Sequence, residues 1–94
     1  MASSPMLTRI TFRAPTPLLA REGLVCWVDA DHGALSLRGI ELRRTWDGRH
    51  VISFAPTRVI DGRPSSSARP VSDAARRALE AEIFAAAARQ GLLQ

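Results

Sequence analysis

The chain has one cysteine, no lysine, no tyrosine and no long apolar run. A single thiol, Cys26, excludes an internal disulfide and fits a reducing compartment. No stretch approaches the roughly 20 apolar residues of a membrane span. The opening MASSPMLTRITFRAP lacks the apolar core of a signal peptide, so a cytoplasmic protein is expected. Five aromatics, two tryptophans and three phenylalanines, supply few platforms for stacking bases. No glycine-rich phosphate loop is present. His32 with Asp29 and Asp31 reads as a turn cluster, His50 follows a hairpin turn, and neither has zinc-site spacing. Ser65-Ser66-Ser67 has no histidine near it, and Cys26 sits in an apolar strand, where a thiol packs and stays inert. An enzyme, a bound metal, a cofactor and a small-molecule substrate are therefore not expected.

What is present is a globular composition, 46% apolar with mixed charge, in 94 residues. That is one domain, 1–94. A chain this short buries only about 60–65% of its unfolded surface, so dimerisation would help it.

The segment from Leu35 to Gly62 organises the rest. Two apolar runs, Leu35–Thr45 and His50–Ala55, flank Trp46-Asp47-Gly48-Arg49. Asp-Gly predicts a hairpin with a type I′ turn. Pro56 has no N–H to donate and ends the pairing. Asp61-Gly62 turns the chain again. The third strand changes phase, with Leu35 and Leu37 odd but Ile40 and Leu42 even, so Gly39 is the expected bulge. His50–Ala55 is almost wholly apolar and reads as central or covered on both faces.

Upstream, residues 1–5 form a frayed end. Met6–Arg13 alternates, with Met6, Thr8, Ile10 and Phe12 on one face, and predicts a half-buried strand. Ala14-Pro15-Thr16-Pro17 breaks it. Gly23–Asp29 is the second strand, followed by a turn from Asp29 to Gly33. Downstream, Arg63–Pro70 reads as a loop. Ser72 caps a helix over 72–90, with Asp73 beside its positive end and Gly91 at its stop. Ala75, Leu79, Ile83 and Ala86 form its inner stripe. Phe84 lies about 140° away at 100° per residue, exposed, under a loop or on a partner. The expected fold is α+β: an antiparallel sheet of about four to five strands under one long C-terminal helix.

Charge is uneven. Residues 38–77 hold nine arginines against four acids, a net +5, while the remainder nets −1. Arginine forks bind phosphate bidentately. Arg58 lies just past Pro56; Arg63 and Arg69 flank the loop; Arg76 and Arg77 lie one turn into the helix, where free N–H groups could hold a phosphate. Arg43, Arg44 and Arg49 surround the first turn, and at most one of Arg43 and Arg44 shares a face with Arg49. Trp46 could stack a base or cover the end of the core; Trp27 reads as core or dimer interface.

Over residues 35–88 the chain resembles the SpoVG family, the stage V sporulation protein G or septation regulators of bacteria. The matching pieces are Leu37-Arg38-Gly39-Ile40-Glu41-Leu42, then Phe54-Ala55-Pro56-Thr57-Arg58, then Asp61-Gly62, then Arg69-Pro70-Val71 leading into the helix at Ser72. Arg58, followed by Val59 and Ile60, stands where that family carries paired basic residues. The resemblance implies a small homodimeric regulator that binds DNA, with RNA as second choice. Its arginine surface would be drawn from residues 43–77 of both subunits, with Arg58, Arg63, Arg69, Arg76, Arg77, Arg49 and Arg44 as contacts. The rival reading is a protein–protein interaction module, drawn from the alanine-rich helix and Phe84.

Overall fold

The computed structural model describes residues 6–54, 58–60, 63–65 and 70–93. Eight elements follow in order: β1 (Thr8–Arg13), α1 (Pro17–Arg21), β2 (Leu24–His32), β3 (Leu35–Arg44), β4 (His50–Ser53), β5 (Arg58–Ile60), β6 (Arg63–Ser65) and α2 (Asp73–Arg89). Strands β1 to β4 form one antiparallel sheet in sequence order, and among the described residues β5 and β6 pair with each other. The fold is α+β, with α2 packed on one face of the four-stranded sheet.

The inner face is set by alternation. Cys26, Val28 and Ala30 of β2, with Ile40 and Leu42 of β3, meet Ile83 and Ala87 of α2, all buried. Burying an Ile or Leu side chain contributes about 1.5–3 kcal/mol, so this layer supplies most of the core's stabilisation. Ser72 caps α2 by accepting from the Ala75 N–H at 3.1 Å. At the other end Gly91 adopts φ +72°, and the Leu92 and Gly91 N–H groups reach back to the Ala87 and Ala88 carbonyls. This closes a Schellman turn, which needs a left-handed residue.

Gly39 is the bulge that the phase change predicts. Val28 faces Ile40 while Ala30 faces Leu37, so β3 carries one extra residue there, and Gly39 has φ +75°. Asp29 holds this kink: its Oδ1 accepts the Gly39 N–H at 2.9 Å while Arg13 binds both carboxylate oxygens at 3.0 and 3.2 Å. One side chain thus ties β1, β2 and β3 together. For this reason Asp29–His32 continue as strand, and only Gly33 and Ala34 turn, not Asp29 to Gly33.

A second bulge lies where no glycine marks it. Thr8 faces Asp31 and Thr11 faces Asp29, so β1 gains a residue, and Arg9 takes φ +52°. The phase of β1 therefore switches. Leu7 is buried and Thr8 exposed, the reverse of simple alternation. Glu82 of α2 fixes this entry, its two carboxylate oxygens accepting the Met6 and Leu7 N–H groups at 2.9 and 2.8 Å.

Further differences from the sequence reading have local causes. Thr16-Pro17 starts a short helix, α1, with Thr16 as cap and Pro17 in its first turn. The β3–β4 turn is not type I′: Asp47 has negative φ, and only Gly48, at φ +88°, is left-handed. The Gly48 N–H reaches the Thr45 carbonyl and the Thr45 N–H the Arg49 carbonyl, a three-residue loop with a bulge. β4 is an edge strand, not a central one, and Val51 is 42% exposed. Its apolar residues reflect the cover that α2 and Phe54 give one face. Arg63–Ser65 is strand and not loop, pairing antiparallel with Arg58–Ile60. Phe84 is half-buried against the core, not exposed, since the layer it meets extends beyond the narrow stripe. The expected fraying of 1–5, the strand end at Ala55-Pro56 and the turn at Asp61-Gly62 lie outside the described residues.

Candidate nucleic-acid interface

The arginines divide between two ends of the domain. Arg44 closes β3 opposite His50, and Arg49 follows in the same turn, so both stand at the β3–β4 end. Arg76 and Arg77 lie about one turn into α2, whose start shares a groove with His32, Leu35 and Leu37 at the β2–β3 end. The far end of α2 places Leu92 beside Arg44 and His50. The helix therefore runs the length of the sheet. A ten-residue β3 spans about 30 Å at 3.3 Å per residue, so within one chain these two arginine groups do not meet. Arg58 and Arg63 sit on the separate β5–β6 hairpin, Arg58 opposite Ser65 and Arg63 opposite Ile60. Arg69 lies outside the described residues.

Several of these cations already have partners. Arg49 pairs with Asp47 at 3.0 Å. Asp47 accepts from the Thr45 hydroxyl, which holds its carboxyl below the usual range, with Arg49 adding to the effect. Arg43 reaches Glu41 at 3.0 Å and the Glu22 carbonyl at 3.0 Å, which makes it a brace between β3 and the end of α1. Arg76 contacts Asp73 at 3.4 Å. Asp73 also sets a negative charge at the α2 N-terminus, which disfavours a phosphate there. Of the candidate arginines whose side chains are described, Arg44 and Arg77 are exposed and have no ion-pair partner; Arg21, Arg38 and Arg89 share this but stand outside the candidate set. These two can neutralise a phosphate without breaking a contact.

Three features go beyond the sequence reading. The outer face of the sheet carries Trp27, half-buried, with the Arg13 guanidinium 5.4 Å from its ring centroid. Trp27 is thus neither inner core nor a free stacking platform. Arg38 is exposed beside Arg9, Thr11 and Ser36, but Asp29 and Asp31 line the same depression and balance its charge. An apolar groove of about 300 Å³ opens between Leu35, Leu37, Phe54, Val71 and Leu79. The phase switch at Gly39 was the available signal for it, because it turns Leu35 and Leu37 toward the helix side.

Trp46 is 98% exposed, so it does not cover the end of the core. The loop that carries it projects past the last ladder pair. Burial raises the Cys26 thiol above its ordinary value, which disfavours the reactive thiolate. Among the described residues no group of three His, Cys, Asp or Glu side chains could hold a metal ion. None of their helices is long and apolar enough to cross a membrane. Comparison with family models, curated proteins and solved structures returns no significant match.

Proposed function

We propose that this protein is a cytoplasmic, homodimeric nucleic-acid-binding regulator of the septation-regulator kind, acting on DNA before RNA. The observation that carries the reading is the net +5 of residues 38–77 together with the exposed, unpaired Arg44 and Arg77 among the described residues. Cations free of partners release counterions when they meet phosphate, and that release supplies most sequence-independent affinity. The motif resemblance over residues 35–88 supports the same reading. Contacts of this kind set register on the backbone more than they read bases. With its two arginine groups at opposite ends, one chain offers two separate footholds, and a dimer offers four.

The test is fluorescence anisotropy with labelled duplex DNA and single-stranded RNA at low salt, using wild type, Arg58→Ala and Arg77→Ala. Binding by wild type and weaker binding by each variant is the expected result. A folded wild type that binds neither probe refutes the reading.

Exposed apolar side chains favour a second reading, a protein-contact module. Trp46, Val71 at 94% and Leu35 at 66% stand open to solvent. Phe84 no longer contributes to it, being packed on the core. A partner of this kind would lose affinity with Trp46→Ala and stay insensitive to Arg77→Ala.

A further inference from the structure

We propose that the free edge of β4 pairs antiparallel with β4 of a second copy, about a two-fold axis through Ile52. The inference rests on the homodimer part of the reading above and gives it a geometry.

The hydrogen-bonding sense of β4 can be worked out residue by residue. Thr45 donates its N–H to the Arg49 carbonyl at 2.7 Å, so this pair is hydrogen-bonded across the hairpin. In an antiparallel ladder, bonded and non-bonded pairs alternate. Arg44–His50 is then non-bonded, which agrees with the Arg44 N–H pointing the other way, to the Gly23 carbonyl at 2.7 Å. Arg43–Val51 is bonded, Leu42–Ile52 is not, and Glu41–Ser53 is. Val51 and Ser53 therefore turn their backbone groups toward β3. His50 and Ile52 turn theirs outward, to an edge that no other described strand occupies.

This edge has none of the usual protections. The four residues of β4 include no lysine, proline, acid or bulge. Strand faces must stay continuous across a two-fold axis normal to the sheet, so even residues oppose even residues. An axis through Ile52 satisfies this. It bonds Ile52 to Ile52 of the second copy and brings His50 opposite Phe54, the residue at the bend that follows β4, on both sides. An axis through Val51 bonds His50 to Ile52 twice, but it sets Ile52 against His50 on both sides and leaves Phe54 unmatched, so it joins less of the two apolar margins. With the Ile52 axis the inner face gains Ile52 against Ile52 and Phe54 against His50, joining the half-buried margins of two cores. On the outer face Val51 meets Ser53. No like charges oppose each other.

The same axis sets the two ends of the domain side by side. Each copy's β3–β4 tip, with exposed Trp46 and Arg49, lies along the other's β2–β3 end. There Leu35, Phe54 and Val71 wall the apolar groove, and α2 begins with Arg76 and Arg77. The arginine groups that one chain separates are brought together by two.

Cysteine cross-linking reads the register directly. Ile52 pairs lie at a Cα separation of about 5.5 Å, within the range a disulfide spans. Val51 faces Ser53, so the two Val51 Cα atoms are diagonal, about 8 Å apart from strand geometry, and too far to bridge. Ile52→Cys is expected to form a covalent dimer on mild oxidation, and Val51→Cys to remain uncrosslinked; native Cys26, buried, does not compete. His50→Pro deletes an outward donor while leaving the β3 ladder intact. It is expected to keep the wild-type circular dichroism spectrum and to raise the dimer dissociation constant at least tenfold in sedimentation. A dimer that cross-links at Val51 and not at Ile52, or that withstands His50→Pro, overturns this edge and leaves the homodimer standing. A wild type that sediments only as a 10.2 kDa monomer at high concentration removes both.

Discussion

Removing the Glu82 side chain should unfasten the N-terminal strand from the helix. Its two oxygens accept the Met6 and Leu7 N–H groups at 2.9 and 2.8 Å, across more than seventy residues of sequence. Hydrogen bonds to a charged group contribute about 1.5–3 kcal/mol each. Glu82→Ala therefore has an upper cost of about 3–6 kcal/mol. Part is recovered, because this site is only half-buried and water can reach the freed N–H groups. A net of about 2–4 kcal/mol is expected, and Leu7, 3% exposed in the fold, would lose its anchor. For a domain of this size each kcal/mol moves Tm by about 4–8 °C, so a fall of roughly 10–30 °C should appear in thermal circular dichroism. Glu82→Gln keeps one acceptor and turns the other position into a donor facing a donor, so it should fall in between. Hydrogen exchange at Leu7 should quicken in both variants more than exchange in α2. A Glu82→Ala protein melting within 2 °C of wild type, with Leu7 still protected, would show that the clamp adds nothing.

Two glycines should respond differently to the same change. A Cβ on Gly23 would stand 2.7 Å from the Arg44 carbonyl oxygen in a backbone at φ +101°, whereas Gly39 at φ +75° has open space. Gly39→Ala should cost about 1–2 kcal/mol for the left-handed conformation alone, and Gly23→Ala clearly more, compared by urea midpoints. Ile83→Ala, at a fully buried position, should cost about 2–5 kcal/mol by the same assay. Asp29 gives an acid-side prediction. Burial alone would raise its pKa, but the Gly39 N–H and the Arg13 guanidinium outweigh this and lower it. Its contribution is thus complete above the ordinary carboxylate pKa and is lost as pH falls through the lowered value. Asp29→Asn should flatten the acid limb of the stability curve; an unchanged limb would assign it to other carboxylates.

Much of the fold was legible because particular residues carry local chemistry. Ser72 with Asp73 placed the start of α2, Gly91 its end, and the change of phase around Gly39 a bulge. Several misreadings share a cause: each depended on a contact far away in sequence. Arg9 bulges without a glycine to announce it, since Glu82 holds the chain before it and Asp31 pairs with its guanidinium. Asp29 reads as a turn former until Arg13 and Gly39 occupy it. The apolar residues of β4 suggest a covered strand, yet nothing in a string of residues says that the next strands pair with each other. At the candidate site, the identity of the basic residues was plain. Which of them are neutralised was not, because Asp47, Glu41 and Asp73 capture Arg49, Arg43 and Arg76 through turn and register geometry. Nor could sequence proximity show that Arg44 and Arg77 stand at opposite ends of the sheet.

Nucleic-acid binding is tested most directly by the slope of duplex DNA affinity against salt. With about four phosphate contacts, affinity should fall roughly 150-fold between 50 and 200 mM salt, and Arg77→Ala should lower the slope by about one contact. An affinity that does not change with salt, or a slope that Arg77→Ala leaves intact, would contradict an interface built on free arginines.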